Sequence, residues 1–481
     1  MIIVINNLES GPILKGPTQT NENASINIWG RGKNFDEYKN NVYMIIQVVE
    51  KNNYQNIIEK KYLLLPSCNY TQNCCISGLN YDTEYEYKIG YYNINIMDNI
   101  NTIYEYDWEN VSRYSFRTFP DPKSENKNAW SFSIISGRHY SDFLGIPLYG
   151  CGSQSDLLYE SLNYHNIKFI VNLGDNILKK NKNKSESEDK INKILSYPAI
   201  KKIFAQVPQY IIYDCSKNTR KHRDIFIKYK YTPCTNNFDY KFYYNFDYSN
   251  ATFYCLDVFY GRNKRNFVNK NSSEYQMIRE SQYIDFTNWI TNIENIDKIK
   301  FILSPIPVIS QNNKKSFSNF PIQQKKLIDI IMKNNIKNVF IISGGTFCCR
   351  VASYDVIDKN KIIGCLTEIH SGSVSTYFKG RGKIFNDTNY NFNIENYNKD
   401  NDFPYEINNI SKMGLRFVTT NASKTYPEIN HLNGIINKIK NLKSGIYENN
   451  FVKITCTINK LIVNIYDNTN KNLDTIKIPL E

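Results

Sequence analysis

The chain has 481 residues, 41% of them hydrophobic and 14% aromatic, which is enough apolar material for a full core and excludes a disordered protein. Its length predicts two or three domains. The formal net charge of +13 would attract anionic partners, but lysine is scattered among Asn and Glu with no long basic block, so a dedicated nucleic-acid surface is not expected.

The usage is skewed towards Asn, Lys, Ile and Tyr, a bias that AT-rich coding produces, as in microbial eukaryotes and large DNA viruses. The opening MIIVINNLES has five consecutive apolar residues and no basic flank, too little for a secretory signal, and no apolar run is long enough to span a bilayer. The expectation is a soluble, intracellular protein, with virion association as a further option. Eleven cysteines without a CxxC pair argue against a zinc ribbon and for reduced, buried thiols.

In chain order, residues 1–122 read as all-β. The stretches ASINIWGRG (Ala24 to Gly32), VYMIIQVVE and LNYDTEYEYKIGYY (Leu79 to Tyr92) are alternating or β-branched, with turn residues between them. Several short strands of this kind predict a β-sandwich. The segment FRTFPDPKSENKN (Phe116 to Asn128), with two prolines and a polar run, reads as a linker. From there to 481 the texture is α/β. Apolar strands SFSIISG, IKFIVNLGD, VPQYIIYD, ATFYCLDV, IKFILSP and KNVFIISGG alternate with helical stretches at Ser153 to Tyr164, Glu274 to Ile293 and Pro321 to Asn334. Lys179 to Lys190 is a charged insertion. NNFDYKFYYNFDYSN (Asn236 to Asn250) is rich in aromatic residues and reads either as a hairpin packed on the core or as an interaction surface. The closing FVKITCTINKLIVNIYDNTNK and TIKIPL return to strands that should pair with the α/β part.

Taken together, SFSIISGRHYS, IVNLGDNIL, VPQYIIYDCSKN, FYCLDVFYGRN, ESQYIDFTNWI, FILSPIPVIS and VFIISGGTFCCRVASYD stand in an order that resembles the alkaline phosphatase D (PhoD-like) family, and the first 122 residues resemble its N-terminal fibronectin or immunoglobulin-like sandwich. The resemblance implies an α/β (α+β) calcineurin-like metallophosphatase core over 128–481: two packed mixed sheets flanked by helices, with metal ligands on loops at strand ends. Phosphate-ester hydrolysis there would need divalent cations such as Ca, Fe or Zn, which clamp the ester and lower the pKa of the attacking water.

Carried over residue by residue, the ligands are mostly missing. Where the family has Ser-Cys at the end of the first strand, this chain has Ser136-Gly137. Gly174-Asp175 is kept, but the ligating Tyr three residues on is Leu178. Asp-Asp-His-Glu is replaced by Asp214-Cys215-Ser216-Lys217, and Ser-Gly-Asp-x-His by Ser343-Gly344-Gly345-Thr346-Phe347. The expectation is a degenerate, catalytically inactive phosphatase fold that holds no cofactor and acts by binding a protein partner or itself. Asp175 is then a turn or helix cap. The competing expectation is an active enzyme with a shifted metal site built on Asp175, Asp214, His139 and His370. Cys215, Cys348 and Cys349 with the same histidines could form a rebuilt thiolate site, although neighbouring strand residues point to opposite faces. Arg138 beside His139, and Arg262 and Arg265 after LDVFYG, leave room for a small anionic ligand.

Overall fold

A computed structural model describes residues 2–3, 8–18, 23–33, 40–95, 105–124, 128–138, 142–143, 146–147, 153–174, 192, 195–213, 223–224, 226, 241–262, 276–309, 317, 320–345, 349–358, 361–375, 416–422, 450–467 and 469–481. The first stretch supplies β1 (Ile2–Ile3), β2 (Ser10–Lys15), β3 (Ala24–Arg31), β4 (Asn40–Glu50), β5 (Asn53–Leu64), β6 (Thr71–Leu79), β7 (Glu84–Asn95), β8 (Tyr106–Asp107) and β9 (Arg113–Arg117). There follow β10 (Trp130–Arg138), β11 (Asp142–Phe143), β12 (Ile146–Pro147), α1 (Ser153–Asn163), β13 (Ile170–Asn172), α2 (Pro198–Phe204), β14 (Gln209–Ile211), β15 (Tyr244–Tyr248), β16 (Ala251–Cys255), α3 (Glu280–Thr291), β17 (Ile299–Ser304), α4 (Pro321–Lys333), β18 (Val339–Ser343), β19 (Arg350–Asp358) and β20 (Lys361–His370). The chain closes with β21 (Ser373–Ser375), β22 (Arg416–Ala422), β23 (Asn450–Cys456), β24 (Lys460–Asp467) and β25 (Asn472–Pro479).

Two large mixed sheets form the centre. One is ordered β25-β24-β23-β10-β13-β14-β2-β3-β6, with β21 alongside β10; the other is ordered β15-β16-β17-β18-β20-β19-β22. In each the middle is parallel: β10, β13 and β14 in the first, β16, β17, β18 and β20 in the second. Every residue of β16, β17 and β18 is buried. Strands covered on both faces read as continuous apolar runs, which is how IKFIL and VFII were recognisable.

The inner faces meet in an aromatic layer. Phe132 and Phe169 from the first sheet lie against Phe246, Phe253, Phe301 and Ile342 from the second. The Phe132 ring stands edge-on to Phe253 and Phe301 at 5.3 Å each, and Phe169 edge-on to Phe246 at 5.6 Å. Such pairs add about 0.5–1.5 kcal/mol each beyond area burial. The outer face of the second sheet is covered by α3 and α4, through Phe286, Trp289, Leu327, Ile328 and Ile331. The outer face of the first is covered by α1 and α2, through Leu158, Leu162, Ile200 and Ile203. Pro198 and Pro321 open α2 and α4 at a position where a missing N–H costs nothing. The three expected helices are present as α1, α3 and α4, with α3 beginning at Glu280 and not Glu274, while α2 is not expected from the sequence. The aromatic stretch before Asn250 is a hairpin on the core where it is described: Phe242, Tyr244, Phe246 and Tyr248 are buried, and β15 pairs antiparallel with β16.

Seven of the nine described strands within residues 1–122 lie in two facing layers, and β1 pairs with β8 apart from them. The four-stranded sheet β5-β4-β7-β9 packs on β2, β3 and β6 through Met44, Ile46, Val48 and Tyr87 against Leu14, Ile26, Ile28 and Ile76. The second layer does not stop at the expected boundary. β14 pairs in parallel with β2 at Gln209 and Lys15, so three early strands extend the central sheet. The junction carries polar ties as well: Tyr87 donates its hydroxyl to the Ala205 carbonyl at 2.6 Å, and Tyr210 to that of Pro17 at 2.8 Å. A Cβ at Gly16 would fall 2.1 Å from the Tyr210 oxygen, so the close approach itself demands glycine. Among the described residues no helix is long and apolar enough to cross a membrane.

Candidate functional site

In sheets of this kind, ligands gather beyond the carboxyl ends of the parallel strands, where loops diverge. Three such ends converge across the two sheets. A Cβ built on Gly344, just past β18, would lie 2.9 Å from Ser136 Oγ near the end of β10 and 3.0 Å from Leu173 Cβ just past β13. What the three ends bring together is therefore Ser136, Leu173 and the Gly344-Gly345 pair. None of these side chains offers a carboxylate, imidazole or thiolate to a divalent cation.

Gly345 is shaped by its surroundings as well as by its identity. Its φ is +74°, in the left-handed region, and a Cβ there would meet the Pro305 carbonyl oxygen at 2.8 Å. Pro305 begins the turn that follows β17, and that turn is pinned from behind. Glu368, fully buried on β20, accepts the N–H of Val308 at 2.7 Å on Oε1 and that of Ile309 at 3.2 Å on Oε2. Ser304 fixes its near end by donating to the Ile306 carbonyl at 2.6 Å. The turn thus lies across the end of β18, in the space a side chain at position 345 would need.

Behind the turn is a closed polar triangle, of which the sequence pattern singles out Ser343 and His370 but not Glu368. Ser343 Oγ donates to Glu368 Oε1 at 2.9 Å and contacts His370 Nδ1 at 2.8 Å, while His370 Nε2 is 3.3 Å from Glu368 Oε2. Ser343 and His370 are direct partners across β18 and β20. Glu368 and His370 are two apart on one strand and so share a face. His370, a candidate metal ligand, commits both ring nitrogens to this triangle. Glu368 receives two backbone N–H groups and a hydroxyl on oxygens that offer about four acceptor sites in all. This is a structural clasp. The clue in the sequence was an acid and an imidazole at alternate positions near the end of an apolar strand, LTEIH.

The remaining candidates divide as follows. Gly137 is within β10 and contributes no ligand atom. His139, Asp175, Leu178, Asp214, Cys215, Ser216, Lys217, Arg265, Phe347 and Cys348 lie outside the described residues. Cys349 is buried in the aromatic layer, as an apolar thiol would be. Arg262 stacks over the Phe259 ring at 5.6 Å. Among the described residues, no three His, Cys, Asp or Glu side chains stand close enough together to hold a metal ion.

Asp257, beyond the end of β16, was not singled out by the sequence. Its Oδ1 accepts the N–H groups of Phe259 and Tyr260, both at 3.0 Å, which shapes the turn after β16. Burial pushes its carboxyl up to about 6, and the two N–H groups, with Arg279 nearby, counteract this only in part.

No protein-family model matches the sequence, and no curated protein matches it. Among solved structures it is similar to the structure of PhoD, with a TM-score of 0.64 at 13% identity, covering 98% of this chain and 93% of that one. It is also similar to purple acid phosphatase PPD1 from yellow lupin (Lupinus luteus) seeds, with a TM-score of 0.57 at 12% identity, covering 98% of this chain and 74% of that one. At such identities the likeness is one of fold: two mixed sheets between helical layers, with the ends of β10, β13 and β18 meeting, fit a PhoD-like metallophosphatase fold.

Proposed function

We propose that the chain is a phosphatase-fold protein that does not hydrolyse phosphate esters and acts by binding or as a structural component. The observation that carries this reading is Gly345. Where the resembling family has an aspartate, this chain has a residue in the left-handed region whose Cβ position is already taken by the Pro305 carbonyl. A binuclear centre needs several charged donors held in register. Losing even one supporting partner typically weakens such a site ~10–100-fold. Ser136, Leu173 and Gly344 at the converging strand ends add no donor of that kind.

The test is elemental analysis of purified protein together with an aryl-phosphate and a bis-aryl-phosphate assay. The expected result is no stoichiometric Fe, Zn or Ca and no turnover above a buffer blank, with Asp175→Ala indistinguishable from wild type in both. A stoichiometric metal with turnover that Asp175→Ala abolishes would instead establish an enzyme with a rearranged site on Asp175, Asp214 and His139.

A further inference from the structure

The four-stranded sheet ends in an unusual edge. β5 is 12 residues long and pairs, among the described residues, with β4 alone. Strands average about 5–6 residues, and natural edges are kept short or blunted because their outward N–H and C=O groups invite another strand. This edge is also apolar at intervals: Tyr54, Ile57 and Leu63 are 53%, 57% and 45% exposed. Ile57, Glu59, Lys61 and Leu63 occupy alternate positions and so share the outward face, opposite Ile58 and Tyr62, which pack on the core.

We propose that β5 is a self-association edge, along which two copies of this chain pair antiparallel about a two-fold axis at Lys60. In that register Glu59 of each copy faces Lys61 of the other, and Ile57 faces Leu63 of the other, so the outward face is self-complementary in both charge and apolarity. Directly opposed residues in antiparallel strands stand about 4.5–5.5 Å apart, within reach of both contacts. The charges also select the register. Moving the axis to Glu59 sets that carboxylate against its own copy, and moving it to Lys61 does the same for the ammonium; neither alternative forms an ion pair. Slipping by an odd number of residues places the outward face of one strand beside the inward face of the other. Lysine usually guards an edge, but here Glu59 Oε1 lies 3.3 Å from Lys61 Nζ within one chain, with Gln47 donating to Glu59 Oε2 at 3.0 Å and the Tyr106 ring 4.6 Å from the ammonium, so a carboxylate and an ammonium stand side by side on the outward face. The single like-charge contact is Lys60 with itself, on an exposed side chain free to diverge into water. Pairing the edge satisfies the outward backbone groups of both copies and covers the four apolar positions.

Sedimentation velocity on the full chain across the micromolar range tests this, with circular dichroism to certify that each variant is folded. Wild type should show a concentration-dependent monomer–dimer equilibrium. Glu59→Lys alone and Lys61→Glu alone each place like charges at two symmetric contacts, and should raise the dimer dissociation constant about tenfold or more. An equimolar mixture of the two single variants should recover wild-type association, because one copy then carries two cations against two anions on the other. A wild-type chain that stays monomeric throughout, single variants that associate as wild type does, or a mixture that fails to recover would each overturn the proposal, the last two pointing to a different partner strand or a different face.

Discussion

Gly345→Asp restores the aspartate that the resembling family carries and is the sharpest perturbation of the reasoning above. A side chain in the left-handed region costs about 1–2 kcal/mol. The Cβ would also begin 2.8 Å from the Pro305 carbonyl oxygen. Ordinary carbon–oxygen contacts lie near 3.3–3.6 Å, so the carbonyl has to retreat by roughly 0.5–0.8 Å. It cannot do so freely, because Val308 and Ile309 in the same turn are held by Glu368 and the Ser304 hydroxyl holds Ile306. Overpacking against an anchored segment costs about 1–3 kcal/mol, which with the backbone cost brings the expected destabilisation to about 2–5 kcal/mol. In urea unfolding, with a slope of ~3 kcal/mol/M for a chain of this size, the midpoint should fall by about 1 M. Gly345→Ala should lose a similar amount, since the clash is at Cβ. Zn or Ca should not restore the Asp variant. A Gly345→Asp protein that matches wild type in stability and takes up a stoichiometric divalent cation would refute the view that the turn has closed over the old ligand position.

Two further outcomes follow from buried carboxylates. Glu368→Ala leaves the N–H groups of Val308 and Ile309 and the Ser343 hydroxyl without their acceptor, and should cost about 3–5 kcal/mol by urea unfolding; Glu368→Gln, which keeps one acceptor oxygen, should lose less. Equal losses for the two would mean that the single oxygen and the volume kept by Gln support neither the turn nor Ser343, whereas a Gln variant as stable as wild type would mean that the clasp contributes through packing alone. Asp257 has a folded-state pKa raised from 3.8 to about 6, so the folded protein binds the proton more tightly than the unfolded chain. Its contribution is most favourable below pH 3.8 and is lost as pH rises through about 6, a swing of about 3 kcal/mol at most. Asp257→Asn keeps an acceptor oxygen for Phe259 and Tyr260, so relative to wild type it should gain stability from pH 4 to pH 7. A stability difference between the two that is flat with pH would show that this carboxyl does not titrate in that window.

The parts of this protein readable from its residues are those governed by local pattern. VFIIS and IKFILS are legible as buried parallel strands because a strand covered on both faces needs no polar alternation. The alternation of Phe242, Tyr244, Phe246 and Tyr248 with Lys, Tyr, Asn and Asp gives the hairpin facing, and choosing between core and interface required the sheet it packs on. The missing donors at Gly137 and Gly345 are matters of residue identity, visible without coordinates.

Tertiary structure alone decided the rest. The apparent linker after Phe116 marks a change of composition, yet the central sheet runs past it, because Gln209 finds Lys15 as its strand partner and no local pattern encodes a pairing between segments so distant in the chain. From the sequence His370 is a candidate metal ligand; only the fold places Ser343 and Glu368 against its two ring nitrogens. Residue identity explains why position 345 offers no side-chain ligand atom; only the approach of the Pro305 carbonyl explains why it has no room for a side chain. Periodicity reports which face of an element is buried, whereas the identity of the neighbour on that face is fixed by the packing of segments far apart in sequence.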